Sequence, residues 1–220
     1  MRVAALYDIH GNLPALDAVL AEVRRERVDL IVVGGDVVVG AASGDAVRRV
    51  VALDLPTRFI SGNCERVVLA EIAGGDITEV PEPYRDDIHR AAADLDGPCR
   101  RAIANWPATC EVEIDGIGRA FFCHATARND REIFNAATPD EEVSPMFAGI
   151  TAPLIVCGHT HVQFDRRVDA LRQAQGAPSA SRGGKRIVNA GSVGMPFAPP
   201  PGAHWLLLGP NVELRQTAYS

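Results

Sequence analysis

Apolar and polar positions along the first third of the chain predict strands feeding helices. VAALY (3–7) is an unbroken apolar run of strand length. From Asn12 onward apolar residues recur at Leu13, Leu16, Val19, Leu20 and Val23, one face of a helix, with Asp17, Glu22, Arg24 and Arg25 on the other faces. Asn12 suits the cap of that helix and Pro14 its first turn. A second apolar run, DLIVV (29–33), leads into GGD (34–36); Ser43 opens a short helix through Val51, and TRFI (57–60) leads into SGNCE (61–65). Strand, helix and strand in succession imply parallel strands, whose ligands gather beyond the carboxyl ends.

From Glu65 to Pro107 the spacing is helical, broken at GGD (74–76) and at the prolines of EVPEPY (79–84). This stretch is too short for a large core of its own, so it reads as a helical excursion within one domain spanning 1–220. TCEVEID and GRAFFCH flank Asp115 and Gly116 as an antiparallel hairpin. Residues 130–150 read as loop and helix. PLIVCGHTH (153–161) is another buried strand ending in polar residues, and VQFDRRVD (162–169) follows as a strand. QAQGAPSASRGGK (173–185) reads as a mobile surface loop, and RIVNAGSVG, HWLLL and VELRQTA as strands returning to the core.

Composition narrows the function classes. The net charge is −6 with no basic block, which argues against tracking along a nucleic-acid backbone. A small phosphorylated substrate, a nucleotide among them, stays open, because bound metal can supply local positive charge. The five cysteines are scattered and never spaced CxxC, so neither a disulfide framework nor a zinc knuckle is expected. The first apolar run is too short for a signal peptide or a membrane span, so the expected setting is the cytoplasm, away from membranes. A homo-oligomer is left open.

The candidate chemistry lies at the strand ends. Asp8, His10, Asp36, Asn63, His124, His159 and His161 each follow an apolar run, and all offer oxygen or imidazole donors. Such donors suit divalent Mn, Fe, Zn or Ni, and seven of them serve two ions better than one. Asp8 and His10 are two residues apart, as are His159 and His161, so an extended backbone would place each pair on one side. The adjacent glycines Gly11, Gly34, Gly35, Gly62 and Gly158 leave room for tight turns and close approach to an ion or phosphate.

DIHGN (8–12), GGDVV (34–38), GNCE (62–65), CHAT (123–126) and CGHTH (157–161), in that order, resemble the motifs of the calcineurin-like metallophosphoesterases. VNAGSVGMP (188–196) is similar to the tail of that superfamily's small bacterial and archaeal phosphodiesterases. The resemblance implies an α/β (α+β) fold, a two-sheet mixed β-sandwich flanked by helices. It also implies two divalent ions, manganese foremost, one held by Asp8, His10, Asp36 and His161, the other by Asp36, Asn63, His124 and His159, with Asp36 bridging. A hydroxide between the ions would attack phosphorus in line, and Asp36, Asn63 and His124 would act through it and through phosphate positioning. Asn12 and Cys64 would lie near the substrate.

Taken singly, several of these residues have plainer roles: Asp36 as a turn residue, Asn63 as a helix cap, His124 at a strand edge. Cys123 and Cys157 read as small buried apolar residues, His89 and His204 as structural or exposed. The superfamily often has histidine after GN, a proton donor to the leaving oxygen, where this chain has Cys64, as the small phosphodiesterase group it resembles often does. A thiol donates poorly, which favours leaving groups that depart as stable anions and hence a phosphodiesterase. Two alternatives stand beside it: a phosphomonoesterase or nucleotide pyrophosphohydrolase, and a non-enzymatic protein-binding module on the same fold.

Overall fold

The computed structural model describes residues 1–168, 184–197, 199 and 201–219. In chain order the elements are β1 (Val3–Leu6), α1 (Leu13–Arg25), β2 (Leu30–Val33), α2 (Ser43–Val51), β3 (Thr57–Phe59), α3 (Asn63–Ile72), α4 (Arg85–Asp94), α5 (Gly97–Ala104), β4 (Thr109–Ile114), β5 (Gly118–Cys123), α6 (Asp140–Val143), β6 (Leu154–Cys157), β7 (Phe164–Val168), β8 (Lys185–Asn189), β9 (Ala203–Leu208) and β10 (Val212–Thr217). Most of the stretch expected to be a mobile loop, 173–183, lies outside the described residues, and Lys185 at its end already belongs to β8.

The strands form two mixed sheets, ordered β10-β9-β1-β2-β3 and β4-β5-β6-β8-β7. As the strand–helix–strand succession required, β1, β2 and β3 run parallel, with Val3 beside Leu30 and Ile31 beside Thr57. In the second sheet β5, β6 and β8 run parallel, while β4 returns as the expected hairpin on β5.

The unbroken apolar runs are explained by burial on both faces. In β1, Val3 and Ala5, with Tyr7 just after the strand, face the second sheet while Ala4 and Leu6 face the helices. The same alternation divides β6, with Leu154 and Val156 between the sheets and Ile155 and Cys157 beneath the α6 segment. Helix α1 covers the first sheet with Leu16, Val19, Leu20 and Val23, and α2 to α5 extend that layer. Asn12 caps α1 by accepting from the Ala15 N–H at 3.1 Å. Cys64, Cys99, Cys110, Cys123 and Cys157 are all free thiols.

Tyr7 is fully buried between the sheets, its hydroxyl donating to the Val156 carbonyl at 3.3 Å. A Cβ at Gly158 would lie 2.5 Å from its ring and 2.6 Å from Asp8 Oδ2, so Gly158 makes room for this wedge and for the Asp8 carboxylate. Because the parallel strands of both sheets end on the same side, their carboxyl termini converge there.

Candidate metal centre

Asp8 and His10 follow β1, Asp36 follows β2, Asn63 opens α3 after β3, His124 follows β5, and His159 and His161 follow β6. All seven residues come together. Asp8, His10 and His161 form one group whose donor atoms lie within 4.8 Å of one another; Asp36, His124 and His159 form a second. The groups adjoin: Asp36 Oδ2 is 3.4 Å from His124 Nε2 and 4.0 Å from His10 Nε2, and Asp8 Oδ1 is 3.3 Å from His161 Nε2. Asp8, His10, Asp36, His124 and His161 are all 9% exposed or less.

The backbone that delivers these side chains is not extended. Seven described non-glycine residues have positive φ, and five of them are Asp8 (55°), His10 (47°), Asp36 (52°), His159 (67°) and His161 (60°). The extended-strand explanation for the paired spacings therefore fails: each residue sits in a left-handed turn, and His159 and His161 go to different groups. Such conformations cost about 1–3 kcal/mol each and persist only where the surroundings enforce them. Here the turns are tied together, His10 N–H donating to the Asp36 carbonyl at 2.9 Å and Asp8 N–H to Gly35 at 3.1 Å.

Three imidazoles are oriented by carbonyls. Nδ1 of His10 lies 3.2 Å from Val39 O, that of His124 2.9 Å from Gly34 O, and that of His161 2.7 Å from Met195 O. A carbonyl only accepts, so each Nδ1 carries a proton and each Nε2 is turned inward as the potential ligand atom. The Nε2 atoms of His10 and His161 are 3.2 Å apart, a separation compatible with both bonding one ion at about 2.0–2.1 Å.

Two oxygens test whether these residues fit metal. Asp8 Oδ1 is buried and makes no hydrogen bond, while Asp8 Oδ2 accepts from the His159 N–H at 2.9 Å. The Asn63 amide oxygen faces only acceptors; turned over, its Nδ2 would donate to His159 Nδ1 at 2.9 Å and to His124 Nε2 and the Asp130 carbonyl at 3.1 Å. An orphaned carboxylate oxygen and an amide oxygen aimed at ring nitrogens are arrangements that a cation satisfies, so the donor set fits.

Electrostatics agree with a cation-seeking site. Burial alone would lower His124, but the Asp36 carboxylate outweighs it and raises the imidazole to about 10. Burial opposes ionisation of Asp36, yet His124 and His10 hold its carboxyl well below the usual range. Ion binding would have to displace the His124 proton. Burial, then the Asp36 and Glu65 carboxylates, push the Cys64 thiol well up. Its sulfur groups with His10 and Asp36, so Cys64 sits beside the cradle as a neutral thiol.

Asn12, expected near the substrate, has both ends of its amide engaged within the protein. Its Oδ1 caps α1, and its Nδ2 donates to the Gly194 carbonyl at 2.9 Å and to the Tyr219 hydroxyl at 3.2 Å. The structure also adds residues that the spacing left out. Glu65 is fully buried and accepts from the backbone N–H groups of Asp36, Val37 and Gly62 at 2.8 Å and of Val38 at 3.3 Å. Burial and Asp36 push Glu65 up to about 7 against the pull of those N–H groups. At Gly62 a Cβ would lie 2.2 Å from Asp36 Oδ1, so this glycine admits the carboxylate itself. Ser192 Oγ donates to the Asp8 carbonyl at 2.7 Å, and Asn189 Nδ2 to that of Gly158 at 2.7 Å. Their signal was the VNAGS run, polar residues at the end of one more buried strand.

A model of the calcineurin-like phosphoesterase superfamily domain matches residues 1–208. The chain belongs to that superfamily. A metallophosphoesterase from Sphaerobacter thermophilus is 25% identical, with a TM-score of 0.73 over 100% of this chain and 90% of that one. A hypothetical protein from Pyrococcus horikoshii superposes with a TM-score of 0.78 at 17% identity, over 100% and 88% of the two chains. A phosphoesterase from E. coli gives 0.55 at 19% identity, over 94% and 88%. No curated protein matches the sequence. The two mixed sheets flanked by helices are thus the calcineurin-like fold expected from the motifs. Among the described residues, no helix is long and apolar enough to cross a membrane.

Proposed function

We propose that this phosphoesterase-family protein is a dinuclear metal-dependent phosphodiesterase acting on a small phosphate diester. The observation that carries the reading is Asp8 Oδ1, buried without a hydrogen bond among imidazole nitrogens, three of whose rings are fixed from behind, with Asn63 Oδ1 3.1 Å from His124 Nε2 at the other side of the cradle. Asp8, His10, Asp36 and His161 would hold one ion and Asp36, Asn63, His124 and His159 the other, with Asp36 shared. Divalent ions held there would supply Lewis-acid charge and lower the pKa of a bound water for attack on phosphorus.

The chain's own residues set the geometry. Glu65 fixes the turn that carries Asp36, and the carbonyls of Val39, Gly34 and Met195 fix three ring orientations. Cys64, a neutral thiol beside the cradle, is a poor proton donor to a leaving alkoxide. This favours leaving groups that depart as stable anions, such as an aryl oxide.

The test compares bis(p-nitrophenyl) phosphate with p-nitrophenyl phosphate on manganese-loaded protein, before and after chelation. Faster cleavage of the diester, lost on chelation, is expected. A marked preference for the monoester, or no cleavage of either, would contradict the reading.

A further inference from the structure

A cavity of about 690 Å³ opens beside the metal centre, and His124 belongs to both. Such a volume is far larger than a phosphate group needs and lies within the range of about 300–1,000 Å³ typical of small-molecule sites. The segment 126–131 runs from the cradle along the cavity wall, and its Asp130 carbonyl lies beside the Asn63 amide. Whatever is esterified to a phosphate at the metal centre therefore has this cavity next to it.

We infer that the cavity binds a planar aromatic group carried by the phosphoester, stacked against the indole of Trp106. This rests on the phosphoesterase reading. Trp106 lines the cavity together with Leu69 and Ile103. Its ring is stacked on Phe59, centroids 5.0 Å apart and planes at 8°, so one indole face is already covered and the ring is held in place. A ring fixed in this way is a preformed stacking platform that needs little ordering when a ligand arrives.

The charges on the wall argue for a ring rather than a polyphosphate tail. Arg66 makes a two-point pair with Asp130 (2.6 and 3.1 Å) and also meets Glu79. Arg131 bonds the other Glu79 oxygen at 2.9 Å, and Arg128 is paired with Glu132. The three cavity arginines are thus matched by carboxylates. A second phosphate would compete with these carboxylates for the arginines, whereas an uncharged ring leaves the pairs intact.

The test uses the chain's two tryptophans. Trp205 is fully buried, with Nε1 donating to Thr217 Oγ1 at 2.9 Å, so emission changes on ligand binding report Trp106. Adenosine 5′-monophosphate, phenyl phosphate and ribose 5-phosphate are titrated into zinc-loaded protein, with affinities taken from calorimetry. At least one ring-bearing ligand should bind about tenfold tighter than ribose 5-phosphate and quench the emission. Preference for adenosine 5′-monophosphate alone assigns a nucleobase, and equal preference for phenyl phosphate assigns any aryl ring. Trp106→Ala should abolish the difference while leaving ribose 5-phosphate affinity unchanged, and Trp106→Phe should keep most of it.

Equal affinity for all three ligands, or an equal loss for all three in Trp106→Ala, would overturn the inference. Ring-dependent quenching in a protein that cleaves no phosphate ester would keep the cavity assignment and remove the phosphoesterase reading. Diester cleavage without ring preference would do the reverse.

Discussion

The metal cradle and the cavity beside it share His124 but are built on different principles. In the cradle, backbone carbonyls, backbone N–H groups and a buried carboxylate hold the side chains, and five of the residues stand in left-handed turns. On the cavity wall the arginines are held by carboxylates that are themselves part exposed, as in Arg66 (43%) with Glu79 (32%). Buried groups with satisfied backbone partners cannot move without leaving a partner unpaired, whereas an exposed ion pair exchanges readily for water. The cradle is thus suited to fixed chemistry and the wall to tolerating changes of substrate.

The sharpest way to break this contrast is within the cradle. Asp36→Asn should remove both ions and turnover with them, as read by metal analysis of purified protein, because Asp36 faces histidines from both groups. Retention of two ions by the variant would refute the shared-ligand assignment. A smaller effect is expected one layer out. Glu65→Gln puts an amide NH₂ against backbone N–H donors and should cost about 2–4 kcal/mol in urea unfolding. It should also weaken metal binding by about 10- to 100-fold. At the far end, Arg131→Ala removes a pair whose arginine is 66% exposed, and should change stability by no more than about 0.5 kcal/mol. A comparable loss from Arg131→Ala and Glu65→Gln would erase the distinction between the two regions.

The same contrast explains what could be read from the sequence. Runs such as LIVV and LIVC announce strands buried on both faces, and the polar residues after them announce a site, because both signals are local. That seven donors would gather at the strand ends was legible for that reason, and so was Asn12 as a cap. The way the ligands are delivered was not. Two-residue spacing suggested an extended backbone, but the turns at Asp8, His10, His159 and His161 are stabilised by contacts from distant segments. The bond from His161 Nδ1 to Met195 spans 34 residues, and that from Asp36 N–H to Glu65 spans 29. Glu65 reads locally as an ordinary first-turn glutamate of α3; only the fold shows four backbone donors around it. The glycines were legible as points of close approach, and what approaches Gly158 and Gly62 is the Tyr7 ring and the Asp8 and Asp36 carboxylates. The cavity at Trp106 had no signal in sequence, since its wall is assembled from α3, α5 and the segment after β5.

The central claim is that the seven strand-end residues form one two-ion site that drives phosphodiester hydrolysis. Its most direct test is calorimetric titration of Mn²⁺ into chelator-stripped protein, with bis(p-nitrophenyl) phosphate turnover measured at each point. Two ions should bind per chain, with activity that rises as the second site fills. Saturation at a single ion, or diester cleavage indifferent to added metal, would contradict it.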